Sequence, residues 1–210
     1  MLIATGNSGK VREFRDMLDE SRMIWRSLNE FPEIPPVEET GRTFRANAAL
    51  KAAGYAKELG MWALADDSGI EVDALGGKPG IHSARWAANH AKGSGDAANN
   101  ALLLDQLKDV SDERRRARFV CVLAMADRRG NIVLTARDTV EGRILHSPVG
   151  SGGFGYDPLF YVEALGRTTA ELSPERKHEI SHRGKALVRL KELLEQSGLN
   201  RVIFGSGRKV

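Results

Sequence analysis

The spacing of apolar and polar positions changes several times along the chain, and each change marks an element. Leu2 to Thr5 is a short continuous apolar run that ends at Gly6-Asn7-Ser8-Gly9, predicting a buried strand and a turn. Val11, Phe14 and Leu18 then fall at i, i+3 and i+7, one face of a helix. Met23 to Leu28 reads as a second strand. Pro32, Pro35 and Pro36 break regular structure and leave a loop carrying Glu38 and Glu39. Phe44, Ala48, Ala52, Tyr55 and Leu59 predict a strong helix closed by Gly60 as C-cap.

Trp62 to Ala65 is an apolar strand running into Asp66-Asp67-Ser68-Gly69. Ile70 to Leu75 reads as a resumed strand before the turn Gly76-Gly77-Lys78-Pro79-Gly80. Residues 82–95 show no clear period, and Ala97 to Leu107 reads as helix. Arg118 to Ala126 and Ile132 to Val140 predict two strands of a hairpin joined by Arg128-Arg129-Gly130-Asn131. Gly150 to Pro158 is a glycine-rich loop. Ala186, Leu187, Leu190 and Leu194 place a final helix over His182 to Leu194, before a short basic tail. Strands and helices interleave around one long antiparallel hairpin, so the expected class is α/β with a mixed sheet. We read 1–210 as one domain, with lobe boundaries expected near 111–116 and 145–150 and a smaller lobe around 111–150.

Composition then narrows the function classes. Hydrophobic residues make up 41% and charged residues 28%, an ordinary globular balance that argues against disorder. A net charge of +3 suits an anionic substrate but is too small for a nucleic-acid footprint. Cys121 is the single cysteine and sits in the apolar run Phe119 to Leu123, which excludes an internal disulfide and a Cys-rich zinc site. It reads as a small buried hydrophobe. Met1 runs directly into Leu2-Ile3-Ala4 without a basic n-region, and every apolar stretch is far shorter than the ~20 residues of a membrane helix. The expectation is a cytoplasmic protein with no membrane partner.

Four segments carry candidate chemistry. In Thr5-Gly6-Asn7-Ser8-Gly9-Lys10 a strand, a glycine turn and a helix start would aim backbone N–H groups and the helix dipole at one spot, which favours phosphate. Lys10 adds a charge, although Val11 stands where a Walker A loop needs Ser or Thr. An ordinary strand–helix turn with a solvated lysine explains the same residues. Asp66 and Asp67 end an apolar strand, where a carboxylate is costly without a partner or a metal, and alternation sends them to opposite faces. Together with Glu38 or Glu39 they form the hard-oxygen set that Mg²⁺ prefers. The bland reading has Asp66 capping a turn and the glutamates in water.

In Ser151-Gly152-Gly153-Phe154-Gly155-Tyr156-Asp157-Pro158, glycines flank a ring on which a nucleobase could stack. Asp157, held extended before a proline, could accept hydrogen bonds from a ligand. The alternative is a surface loop with one buried aromatic. Lys177 to Gly184 brings Lys177, Ser181, His182 and Arg183 to the start of the last helix, donors suited to a carbonyl-bearing base or to phosphate oxygens. A solvated basic stretch is the competing view. His82, His90 and His146 have no metal-ligand spacing, and no nucleophile–base set can be assembled.

Thr5-Gly6-Asn7, Ala65-Asp66-Asp67-Ser68-Gly69, Phe154-Gly155-Tyr156-Asp157-Pro158 and Ser181-His182-Arg183, in this order and at these separations, resemble the inosine triphosphate pyrophosphatase family, its bacterial branch above all. The likeness extends along nearly the whole chain through Glu38-Glu39-Thr40-Gly41, Leu75 to Ile81, Ser83-Ala84-Arg85 and Ser151-Gly152-Gly153. The resemblance implies hydrolysis of ITP, dITP and XTP to monophosphate and pyrophosphate, cleansing the nucleotide pool, with Mg²⁺ as cofactor. It implies a homodimer on a long curved mixed sheet flanked by helices, with the substrate in a cleft between two lobes. Asp67 would be proton acceptor and metal ligand, with a metal-binding glutamate expected at Glu39, although adjacent Glu38 is not separated from it. Substrate positions implied are Thr5, Gly6, Asn7, Ser8, Gly9, Lys10, Lys51, Ser68, Phe154, Gly155, Tyr156, Asp157, Lys177, Ser181, His182 and Arg183. Two alternatives remain: a related pyrophosphatase acting on dTTP, UTP or modified nucleotides, and a nucleic-acid-binding module using Arg114-Arg115-Arg116 and the basic tail.

Overall fold

The computed structural model describes residues 1–18, 24–199 and 203. Seven strands form one mixed sheet in the order β2-β1-β3-β4-β5-β6-β7: β1 (Leu2–Ile3), β2 (Arg26–Ser27), β3 (Ala63–Val72), β4 (Arg116–Ala126), β5 (Ile132–Ile144), β6 (Phe160–Val162) and β7 (Arg167–Thr168). β1 runs parallel to both β2 and β3, whereas β5 with β6 and β6 with β7 are antiparallel. Five helices accompany them: α1 (Ser8–Met17), α2 (Phe44–Leu59), α3 (Gly95–Gln106), α4 (Pro174–Ile180) and α5 (His182–Ser197). Among the described residues, no helix is long and apolar enough to cross a membrane.

The chain divides into two compact units. One comprises Met1–Asp67, Val122–Asp138 and Gly184–Val210; the other comprises Ser68–Cys121 and Thr139–Arg183.

In the first unit α2 sets the pattern. Its buried residues, Phe44, Asn47, Ala48, Lys51, Ala52, Tyr55 and Ala56, recur at three and four and so form one stripe. Small alanines let the helix approach closely, and two polar residues, Asn47 and Lys51, lie on the same buried face. Thr43 caps its first turn by accepting from Ala46 N–H, and Gly60 ends it in the left-handed conformation that glycine adopts without strain. The proline loop is tied to this helix at two points. Val37 N–H donates to the Tyr55 hydroxyl at 3.1 Å, and Gly41 N–H donates to Asn47 Oδ1 at 2.8 Å.

The second unit packs Ile70, Val72, Leu103, Leu107, Phe119, Val140, Ile144, Tyr156, Leu159 and Phe160 into one core cluster. Each large side chain of this kind contributes on the order of 1.5–3 kcal/mol when removed from water. Arg115 is buried beside this core and donates to the carbonyls of Leu107, Ile144 and Leu145 at 2.7–2.9 Å. It thereby satisfies acceptors at the end of α3 and of β5.

Four sequence expectations change. Asp66 to Gly69 do not interrupt a strand; β3 runs unbroken through them, and only 73–75 turns away, as a 3₁₀ turn. α4 was not foreseen, and Lys177 lies on it rather than at the start of the last helix. β6 and β7 were also missed, being three and two residues long. The strand read from Met23 is confined to Arg26–Ser27, and Met23 and most of the basic tail lie outside the described residues.

Candidate active site

The first unit gathers acids and lysines at β3. Gly6 and Asn7 form an exposed turn into Ser8, the first residue of α1, and Thr5 Oγ1 accepts from Asn7 N–H at 3.2 Å. Asn7 caps α1, its Oδ1 accepting from Lys10 N–H at 3.0 Å, so the first amides of a ten-residue helix face outward beside this turn. The Lys10 ammonium is ion-paired with Asp66, whose carboxylate is buried. Gly9 and Lys10 are half-buried.

Asp67, next along the strand, has a different partner. Lys51 Nζ donates to Asp67 Oδ1 at 2.8 Å and lies 3.1 Å from Glu39 Oε1. Asp67 is 6% exposed, and its second oxygen, Oδ2, is buried with no hydrogen-bond partner among the described residues. Burial pushes the Asp67 carboxyl upward from its ordinary value, and Lys51 offsets only part of that. Burial alone would lower Lys51, but the charges of Asp67, Asp66 and Glu39 together outweigh it and hold the ammonium above its ordinary value. The geometry separates the two glutamates: Glu39 is half-buried and shares Lys51 with Asp67, while Glu38 is exposed.

Among the described residues no three His, Cys, Asp or Glu side chains converge as a ready-made metal cage. Mg²⁺ takes one or two carboxylates and completes its octahedron with water and phosphate oxygens. An orphaned buried carboxylate oxygen on Asp67, with Glu39 on the same lysine, fits such a cation.

The second unit gathers an aromatic ring and cations. Arg183, at 1% exposure, donates from Nη2 to Ser68 Oγ at 2.9 Å. Its Cζ lies 5.8 Å from the centroid of the Phe154 ring, and Lys177 Nζ lies 4.9 Å from the same centroid. His182 stacks on Phe119 with ring centroids 4.8 Å apart and planes 14° from parallel. Ser181 caps α4, its N–H donating to Lys177 O at 2.8 Å, and so sets where His182 and Arg183 begin α5.

Two residues expected to touch substrate, Asp157 and Tyr156, also hold the loop and the core together. Asp157 is in a turn rather than extended, and its carboxylate is engaged from three sides. It accepts from Phe154 N–H at 2.8 Å, from the Thr169 hydroxyl at 2.8 Å and from Lys177 Nζ at 2.7 Å. These bonds hold the Phe154 loop and aim Lys177. Tyr156 belongs to the apolar core, and its hydroxyl donates to Ser83 O at 2.9 Å. Burial raises its pKa, so it stays a neutral packing residue. Sequence reasoning missed Phe119 and Thr169, as well as Asp96 and Asn100 on α3, which hold Gly155. The polar pair at i, i+4 on a helix was the available signal for the last two.

Comparisons with known proteins agree in family. A model described as the Ham1 family matches residues 1–193. A dITP/XTP pyrophosphatase of Geobacillus kaustophilus is 47% identical over 208 residues, covering 99% of this chain and 98% of the relative. One of Geobacter sulfurreducens is 48% identical over 199 residues, covering 95% of this chain and 98% of its own. Among solved structures, a HAM1 protein from Coxiella burnetii aligns with a TM-score of 0.82 at 40% identity, covering 93% of this chain and 98% of that one. A nucleoside-triphosphatase / dITP/XTP pyrophosphatase from Mycobacterium abscessus aligns with a TM-score of 0.71 at 45% identity, covering 90% and 97%.

Proposed function

Because the chain belongs to the Ham1 family, we propose that it hydrolyses deaminated purine nucleoside triphosphates to the monophosphate and pyrophosphate. The observation that carries this reading is a single peptide bond. Asp67 belongs to the acid–lysine set and Ser68, the next residue, is held by Arg183 beside Phe154. A nucleoside triphosphate carries both kinds of group, a triphosphate and a flat base.

On this reading the Gly6-Asn7-Ser8 turn and the first amides of α1 bind phosphate oxygens, with Lys10 and Lys51 countering their charge. Asp67 and Glu39 would hold Mg²⁺, which when bound screens the charge that develops on the phosphates. Asp67 also serves as the proton acceptor for the attacking water. The new O–P bond forms at the α-phosphorus, and the α–β bridging bond breaks to release pyrophosphate. Positioning and electrostatics supply most of the acceleration in such transfers.

Phe154 offers a face for the base, and Arg183 can only donate. A purine with a carbonyl at position 6 meets that donor with an acceptor, whereas adenine presents an amino group. A buried mismatch of this kind costs about 1–3 kcal/mol, tenfold or more in selectivity. The enzyme would work in the cytoplasm as a homodimer, keeping damaged nucleotides from polymerases.

The test is pyrophosphate release from ITP, XTP, dITP, GTP, ATP, dTTP and UTP, with and without Mg²⁺. We expect ITP, dITP and XTP to lead by at least about tenfold. Equal turnover of ATP and ITP would refute the assignment, and a preference for dTTP or UTP would move it to a pyrimidine substrate.

A further inference from the structure

The direction of a side chain's Cα–Cβ bond is fixed once the two peptide planes on either side of its Cα are fixed, because those planes define φ and ψ, and φ and ψ in turn limit the rotamers open to the ring. At Phe154 both are held by carboxylates. The preceding plane carries Phe154 N–H, which donates to Asp157 Oδ2 at 2.8 Å. The following plane carries Gly155 N–H, which donates to Asp96 Oδ2 at 2.7 Å. Asn100, one turn after Asp96 on α3, fixes a third plane by donating from Nδ2 to Gly155 O at 3.0 Å.

Gly155 itself has a φ of +62°, so the loop can present its N–H and its carbonyl to one helix without side-chain strain. Asp96 and Asn100 therefore act as a two-point bracket: an acceptor and a donor, separated by one helical turn, take both polar groups of the same residue. Asp157 belongs to the loop it holds. Asp96 and Asn100 come from a separate helix, so they tie the ring to the rigid core that α3 builds through Leu103 and Leu107.

We propose that Asp96 and Asn100 are positioning residues for base selection, acting through Gly155 to hold the backbone from which the Phe154 ring is presented to the nucleobase. The proposal rests on the reading of Phe154 as the base platform. Neither residue needs to touch substrate. A platform whose backbone is bracketed on both sides keeps its place when the base arrives, and geometry held in advance of binding is what selectivity draws on.

The experiment compares Asp96→Ala, Asp96→Asn and Asn100→Ala in the full chain. It reads kcat and KM for ITP and ATP, the inhibition constant of pyrophosphate, and amide hydrogen exchange at Phe154 and Gly155. Asp96 is exposed, so water competes for the lost bond and the expected effect is moderate. Asp96→Ala and Asn100→Ala should raise the ITP KM about three- to tenfold, with kcat changed less. They should also narrow the ITP-over-ATP preference, leave pyrophosphate inhibition unchanged and speed exchange at Gly155. Asp96→Asn keeps an acceptor oxygen and should restore most of the KM.

An unchanged ITP KM with faster exchange would overturn the selective role. Equal weakening of ITP, ATP and pyrophosphate would reduce the pair to general stabilisers and overturn it too. Wild-type protein that fails to turn over ITP would instead sink the enzymatic reading, while the exchange data would still report whether the bracket holds the loop.

Discussion

Lys51 reaches Asp67 from the buried face of α2, its ammonium 2.8 Å from one carboxylate oxygen, while the other oxygen of Asp67 is buried without a hydrogen bond among the described residues. A carboxylate held on one side and unsatisfied on the other is poised to accept a proton or a cation. Replacing Asp67 with Asn keeps the shape and removes the charge. We expect Asp67→Asn to slow pyrophosphate release by roughly 10²–10⁴-fold, the usual weight of a positioned acid or base. Circular dichroism and the melting temperature should show a folded protein. Activity within threefold of wild type would remove Asp67 from the chemistry.

The two glutamates of the proline loop should behave differently. Glu39 shares Lys51 with Asp67, and Glu38 points outward. Glu39→Gln should raise the Mg²⁺ concentration needed for half-maximal rate by about tenfold or more, whereas Glu38→Gln should leave it unchanged. Chelation with EDTA should stop turnover, and added Mg²⁺ should restore it. An identical Mg²⁺ response in the two variants would count against Glu39 as a ligand.

Phe154 is expected to act through its face. Phe154→Ala should raise the ITP KM roughly five- to 150-fold, matching about 1–3 kcal/mol of base stacking, while Phe154→Tyr keeps most of the affinity. Steady-state kinetics on both variants decides this. Unchanged affinity in Phe154→Ala would move the base elsewhere.

Gly69 follows Ser68 on β3, and it has no room for a side chain. A Cβ there would meet Gly80 O and Ser83 Oγ, and Ser83 is committed on both sides, accepting from Ile70 N–H at 2.9 Å and donating to Gly80 O at 2.6 Å. Backbone would have to shift, so Gly69→Ala should cost about 1–3 kcal/mol of stability by urea unfolding. A midpoint equal to wild type would mean that the 80–83 turn yields freely.

Much of this was legible beforehand, and the failures share a cause. α2 announced itself through an unbroken 3.6 period and a terminal glycine, local signals that the tertiary structure had no reason to override. The hairpin of β4 and β5 was visible for the same reason. β3 was misread because Asp66, Asp67 and Ser68 look like loop residues. They stay in a buried strand because Lys10, Lys51 and Arg183 pair with them from far along the chain, and no local window contains those partners. α4 had a readable start, Ser173 capping Arg176 N–H with Pro174 in the first turn, but two helical turns carry too little periodicity to register. At the site, residue types singled out the acids and cations, and the structure adds their pairings: nothing in the string shows that Asp157 accepts from Phe154, Thr169 and Lys177.

The unbroken run of β3 carries a consequence for how this protein can vary. Asp66, Asp67 and Ser68 answer three different partners at a pitch of one residue each, and a strand reverses its side-chain direction at every step. Point changes can weaken any one of the three separately. Gain or loss of a single codon there would exchange the flanks of both acids at once, so length variation in this chain has to be absorbed in its loops.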